Sequence, residues 1–221
     1  MKRTSAIYTA ALIAATMAAV LSISIAVPLL WRGFYFLHID ALHLPERTGY
    51  TVQEIKDAFN EMMDYCMWGE PFGTGVMKWS QSGYDHFADC AKLFRMDFIA
   101  VGLSVGALLI LLVLHRRGFR AVDILGKGPM FWACGLLSGG FILIAGLAAL
   151  DFDRAFVLFH TLFFPGKTNW IFDYRTDEII NVLPQVFFMN CAILIVSVLL
   201  VLCLTLLWAE RVLRNKRKNP N

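Results

Sequence analysis

Four apolar stretches, Ala6 to Leu30, Phe98 to Leu114, Met130 to Leu150 and about Val186 to Trp208, contain no Asp, Glu, Lys or Arg. At 1.5 Å rise per residue, roughly 20 residues cross a hydrocarbon core of about 30 Å. Backbone groups in lipid must be satisfied within the segment, so each stretch predicts a transmembrane helix. The second is near the short limit, which sets Asp97 and His115 close to the interfaces. Lys2 and Arg3 precede the first stretch, as in a signal peptide. Its apolar run is longer than the usual core of about 7–15 residues, and no small-x-small cleavage site precedes Pro28. A retained helix is expected.

The polar positions between the spans also read as helical. Thr51-Val52-Gln53-Glu54 has the form of a capping box. Val52, Ile55, Phe59, Met62 and Cys66 then recur at helical spacing. Gly69 to Gly75 is loop by its Gly and Pro content. Ser82-Gly83-Tyr84-Asp85 reads as a second cap of the same type, opening a helix through about Met96. Ala155 to Phe164 is apolar but too short to span, and Pro165-Gly166 ends it, so an interfacial or re-entrant helix is expected. His38 and His43 precede Pro45 in what reads as a loop, and no role is assigned to them. The fold class is therefore all-α: an integral membrane protein with four transmembrane helices, a small helical extracytoplasmic domain and an interfacial helix. Residues 1–221 read as a single membrane domain.

Composition sharpens this picture. Of 221 residues, 58% are hydrophobic and 17% charged, against about 25% charged in a soluble domain. Placement of the charges sets the orientation. Arg116, Arg117, Arg120 and Lys127 follow the second span, and Arg211, Arg214, Lys216, Arg217 and Lys218 follow the fourth. Residues 31–96 hold six Lys/Arg against nine Asp/Glu, and residues 151–182 hold three against five. Segments 1–5, 115–129 and 209–221 are thus expected in the cytoplasm, with 31–97 and 151–185 outside. Trp31, Tyr35 and Trp208 sit at span ends, where an amphipathic ring prefers the headgroup region.

The candidate chemistry is small. Cys134, Cys191 and Cys203 lie within spans and read as small apolar residues. Cys66 and Cys90 fall on the outer side, either as a disulfide or as two buried thiols. His86 and Asp89 are three apart on a predicted helix and share a face. Such a carboxylate can hold an imidazole tautomer, although a surface pair has the same spacing. His160 sits among Phe156, Phe159, Phe163 and Phe164, where a polar titratable group needs a partner. It is either a structural histidine on a backbone carbonyl or a base kept neutral by burial. His86, Asp89 and His160 together match a zinc set in residue type. No HExxH motif or cysteine cluster accompanies them, and neither a metal nor a cofactor is expected. There is no GxSxG elbow, P-loop or CxxC. A base without an evident nucleophile points to a reaction whose substrate supplies the nucleophile. A non-enzymatic lipid-binding or assembly protein with a structural His160 is the alternative.

Phe159-His160-Thr161-Leu162-Phe163-Phe164, then Trp170-Ile171-Phe172, then Asp177 through Leu183-Pro184 and Phe187-Phe188, resembles the signature of the lipoprotein intramolecular transacylase (Lit) family. His86-Phe87-Ala88-Asp89 is similar to that family's HxxD element before the second span. The resemblance implies an acyltransferase that moves the sn-2 acyl chain of a diacylglyceryl-cysteine to its own α-amino group, giving a lyso-form lipoprotein. It implies a diacylated lipoprotein substrate in the outer leaflet of the bacterial cytoplasmic membrane. Membrane lipids are further partners, a monomer is expected, and nucleic acid is not a partner. The catalytic residues it implies are His160 as base, with His86, oriented by Asp89, polarising the ester or sharing the proton. Phe159, Phe163 and Phe164 would clamp acyl chains, with Trp170 at headgroup depth and Asp173 and Asp177 completing the binding residues.

Overall fold

The computed structural model of the chain describes residues 3–218. Lys2, which precedes the first span, lies outside the described residues, as do the side chains of Arg217 and Lys218, two of the charges used to orient the chain. Among the described residues nine helices account for most of the structure: α1 (Ala6–Leu30), α2 (Arg32–Ala41), α3 (Leu44–Thr48), α4 (Val52–Trp68), α5 (Gln81–Arg116), α6 (Pro129–Leu150), α7 (Phe152–Phe163), α8 (Ile179–Val182) and α9 (Gln185–Lys218). Helices α1, α5, α6 and α9 are long and apolar enough to cross a membrane. A short parallel ladder joins β1 (Arg3–Ser5) to β2 (Phe119–Ala121), pairing Arg3 with Phe119 and Ser5 with Ala121.

The chain divides into two compact units. The first comprises the residues up to Ile25, Asp97–Gly146 and those from Leu194. Its apolar core buries Val20, Cys134, Leu137, Leu199 and Cys203 together, with Met17, Leu21 and Phe141 against them. Cys134 and Cys203 thus act as small packing residues. Two serines of α1 are satisfied within the helix: Ser22 donates to the Ala18 carbonyl at 2.8 Å and Ser24 to the Val20 carbonyl at 2.6 Å. This is how a hydroxyl is accommodated on a helix in lipid.

The second unit comprises Ala26–Met96 and Leu147–Ile193. The predicted capping box at Thr51 and Glu54 is present, each side chain bonding the other's backbone N–H. Ile55, Phe59, Met62 and Cys66 form the buried face of α4, while Val52 is exposed. Tyr35 stacks on Phe59 with centroids 3.8 Å apart and donates its hydroxyl to the Val182 carbonyl at 2.8 Å.

Three local expectations are corrected. The segment around His38 is helical, because Tyr35 and Ile39 give α2 a buried face. His38 is held at both nitrogens, by the Phe34 carbonyl and Asn190. The cap of α5 is Ser80, not Ser82, its hydroxyl accepting from Gly83 N at 3.1 Å. The helix opened there does not stop near Met96, since nothing between Met96 and Phe98 breaks it. It continues as one 36-residue rod, of which Phe98–Leu114 is the apolar spanning part.

Candidate active site

The site lies within the second unit and draws on three stretches of chain. The first turns of α5 carry His86, Asp89 and Cys90. Helix α7 carries Phe156, Phe159 and His160. The segment that follows carries Phe164, Lys167, Asn169, Trp170 and Phe172.

Helix α7 exists because Asp151 accepts from Arg154 N at 2.9 Å, which caps its first turn. It is amphipathic: Leu158, Phe159, Leu162 and Phe163 are exposed, while His160 is buried on the opposite side. The His160 Nδ1 lies 2.8 Å from the Phe156 carbonyl. A carbonyl only accepts, so Nδ1 carries the proton and Nε2 of the neutral ring keeps its lone pair. The ring stacks on Trp170 at 4.7 Å and 30°, with Phe156 at 4.3 Å and Phe164 at 5.7 Å.

His86 reaches the same enclosure from α5. Its ring centroid is 5.8 Å from that of His160, 5.0 Å from Phe164 and 5.4 Å from Phe172. Cys90, one turn along α5, puts its sulfur 3.5 Å from His86 Nε2. His86 Nδ1 is buried and has no hydrogen-bond partner among the described residues. Burial lowers the His86 pKa to about 4, with the nearby His160 acting in the same direction and the Asp89 charge opposing. Burial also holds His160 below the ordinary histidine value, against the pull of the Phe156 carbonyl. Both rings are therefore neutral at pH 7, which is what a base requires.

Asp89 does not hydrogen-bond the His86 ring, contrary to the orienting role expected of it. Its carboxylate is taken by Lys92 at 3.0 Å, by Lys167 and by Asn169 at 3.3 Å. Burial raises its pKa, but these donors outweigh it and bring the value down to about 2. Asp89 thus ties the loop after α7 to α5. Among the described residues no group of three or more His, Cys, Asp or Glu converges as a metal site.

The other expected binding residues separate. Phe164 lines the enclosure and is buried, whereas Phe159 and Phe163 stack on each other at 4.6 Å and are about half exposed. Trp170 donates its indole N–H to the Lys167 carbonyl at 3.0 Å, which orients it over His160. Asp173 stands outside, exposed and paired with Arg175. Asp177 is buried, accepting from Ser80 N and Ser80 Oγ, both at 2.8 Å, and from Thr176. It anchors the start of α5 and does not face the histidines. Cys66 and Cys90 are both free. Cys66 sulfur donates to the Phe87 carbonyl at 3.7 Å while Cys90 sulfur is turned to His86, so the two thiols have separate partners. Sequence reasoning missed Lys167, Asn169 and Phe172. It also missed the His86–Cys90 contact, although an i,i+4 spacing announces a shared helix face.

The sequence model of the family described as lipoprotein intramolecular transacylase Lit matches residues 10–188. The fold is similar to the in meso structure of the membrane integral lipoprotein intramolecular transacylase Lit from Bacillus cereus. There the TM-score is 0.86 with 21% identity, over 96% of this chain and 96% of that one. Two further structures of that protein carry a histidine-to-arginine or a histidine-to-alanine substitution. Each gives a TM-score of 0.80 at 21% identity, over 96% of this chain and 92% or 94% of theirs. No curated protein matches the chain.

Proposed function

Because the chain belongs to the lipoprotein intramolecular transacylase family, and is thus a membrane-integral acyl-transferring enzyme, we propose that it moves the sn-2 acyl chain of a diacylglyceryl-cysteine to that cysteine's own α-amino group. Family membership removes the non-enzymatic alternative. The observation that carries the finer reading is the pair of neutral imidazoles 5.8 Å apart in an aromatic enclosure, with His160 Nε2 left free by the Phe156 bond.

The substrate supplies both nucleophile and electrophile. The amine nitrogen attacks the sn-2 ester carbonyl, forming a C–N bond and an oxyanion. His160 Nε2 takes the proton that the nitrogen must lose, and His86 polarises the carbonyl oxygen. Collapse of the oxyanion breaks the bond to the glycerol oxygen, to which His160 returns the proton. The product is an amide and a lyso-glyceryl alcohol, and the enzyme ends as it began. No acyl-enzyme residue is needed. Holding both groups of one molecule in register draws on effective molarities of about 10⁵–10⁸ M. The exposed apolar face of α7 suits contact with lipid tails, and Trp170 suits headgroup depth. The substrate then lies in the outer leaflet of the cytoplasmic membrane, and both termini lie in the cytoplasm.

The test is expression in a bacterial strain lacking lipoprotein N-acyltransferase, followed by mass spectrometry of lipoprotein N-termini. N-acylated cysteine carrying one ester-linked chain is expected. Unchanged diacyl termini at good expression would overturn the reading.

A further inference from the structure

Resting on the reading that His86 and His160 serve acyl transfer, we propose that Cys90 is a positioning residue: its thiol donates to His86 Nε2 and so makes Nδ1–H the donor offered to the ester carbonyl.

Cys90 stands four residues after His86 on α5, with its sulfur 3.5 Å from Nε2. A thiol is a weak donor and a weaker acceptor, whereas the lone pair of a neutral imidazole nitrogen is a good acceptor. The favoured pairing is therefore S–H to Nε2. Burial raises the Cys90 pKa, with the neighbouring Cys66 and the Asp89 charge adding to it, so the thiol keeps its proton. A neutral imidazole carries one proton, and with Nε2 accepting, it sits on Nδ1.

The Asp89 carboxylate and the His160 N–H are engaged elsewhere. Asp89 is bound by Lys92, Lys167 and Asn169, and His160 spends its own N–H on the Phe156 carbonyl. His86 is 5% exposed, and its Nδ1 has no partner among the described residues. A buried N–H left unpaired is costly, and an ester oxygen that gains charge is the acceptor it lacks. The two rings thus receive opposite duties from their neighbours. The Phe156 carbonyl makes His160 a base at Nε2, and the Cys90 thiol makes His86 a donor at Nδ1. Neither ring has to be charged.

The experiment is ¹⁵N NMR of the intact protein, labelled at histidine, in detergent at neutral pH. His86 signals are assigned by their loss in His86→Gln. The expected result is Nε2 as the unprotonated nitrogen of His86. Cys90→Ala should shift His86 toward the other tautomer and lower kcat on the order of 10- to 100-fold, less than the roughly 10²–10³-fold cost of losing an oxyanion donor outright, with KM nearly unchanged. Cys90→Ser, whose hydroxyl also donates, should restore most of that rate. A wild-type His86 protonated at Nε2 overturns the role of Cys90, whether or not the variants fold. Unchanged tautomer and kcat in Cys90→Ala overturn it as well. A chain with the expected tautomer that turns over no lipoprotein overturns the acyl-transfer reading instead, so the two failures are distinguishable.

Discussion

The Asp177 carboxylate occupies the space where a side chain at position 83 would stand. Ser80, which caps α5 and gives its hydroxyl to Asp177, lies beside it. Glycine is needed at 83 for close approach, not for backbone freedom. Gly83→Ala should therefore push Asp177 off Ser80 and lower stability by about 1–3 kcal/mol. Thermal unfolding in detergent reads this directly. An unchanged melting temperature would mean that the carboxylate and the cap move apart freely.

His160→Gln removes the proposed base while keeping a polar side chain that reaches the Phe156 carbonyl. Formation of N-acylated product should fall by about 10²–10⁴-fold, with the unfolding transition nearly unmoved. If stability collapses while residual turnover per folded molecule stays normal, His160 is structural.

Acid should weaken the fold through His86. Its folded pKa of about 4 lies below the ordinary 6.5, so between those values the unfolded chain binds more protons at this position than the folded one. Stability from His86 is complete above about pH 6.5 and is lost as pH falls toward 4. His160, Asp89, Cys90 and Lys167 face this ring, and the Asp89 contribution is lost only below about pH 3.8, as its own folded value is about 2. The difference in melting temperature between wild type and His86→Gln, followed from pH 7.5 to 4.5, should shrink with acidification. A pH-independent difference would show that His86 titrates normally.

The same burial affects turnover. With His160 held below the ordinary value, the acid limb of kcat/KM should have its midpoint under pH 6.5. A midpoint above 7 would contradict a desolvated base.

Lys167 and Asp89 should behave as one unit. Lys167→Met and Asp89→Asn each release the loop that places Trp170 on His160. Their combined effect on stability should be less than additive, with a coupling of about 1 kcal/mol, modest because Lys167 is half exposed. Strict additivity in a double-mutant cycle would deny the link.

Much of this was legible in the chain. Twenty-residue apolar runs admit few readings, and the Thr51–Glu54 box is local chemistry. His160 stood out because an imidazole among phenylalanines demands an explanation. One cause of what could not be read is distance along the chain. Asp89 to Lys167 and Asp177 to Ser80 are pairings that no window of sequence contains. Helix α2 was obscured for another reason: its burial comes from Phe59 and Val182, which only the folded unit supplies. The continuity of α5 was hidden by a change in its surroundings, polar before Met96 and apolar after Phe98, with no change in the backbone.

The rings of Phe156, Phe164 and Trp170 packed about His160 bear on a competing fate of the ester. An activated acyl group beside solvent is hydrolysed, and a base with a polarising neighbour is also the equipment of an esterase. Here three aromatic rings pack on the imidazole, and their apolar faces disfavour a water molecule beside it. Under the proposed reaction the tethered amine is then favoured over water, and an acyl chain that would otherwise drift away as a fatty acid stays on its lipoprotein.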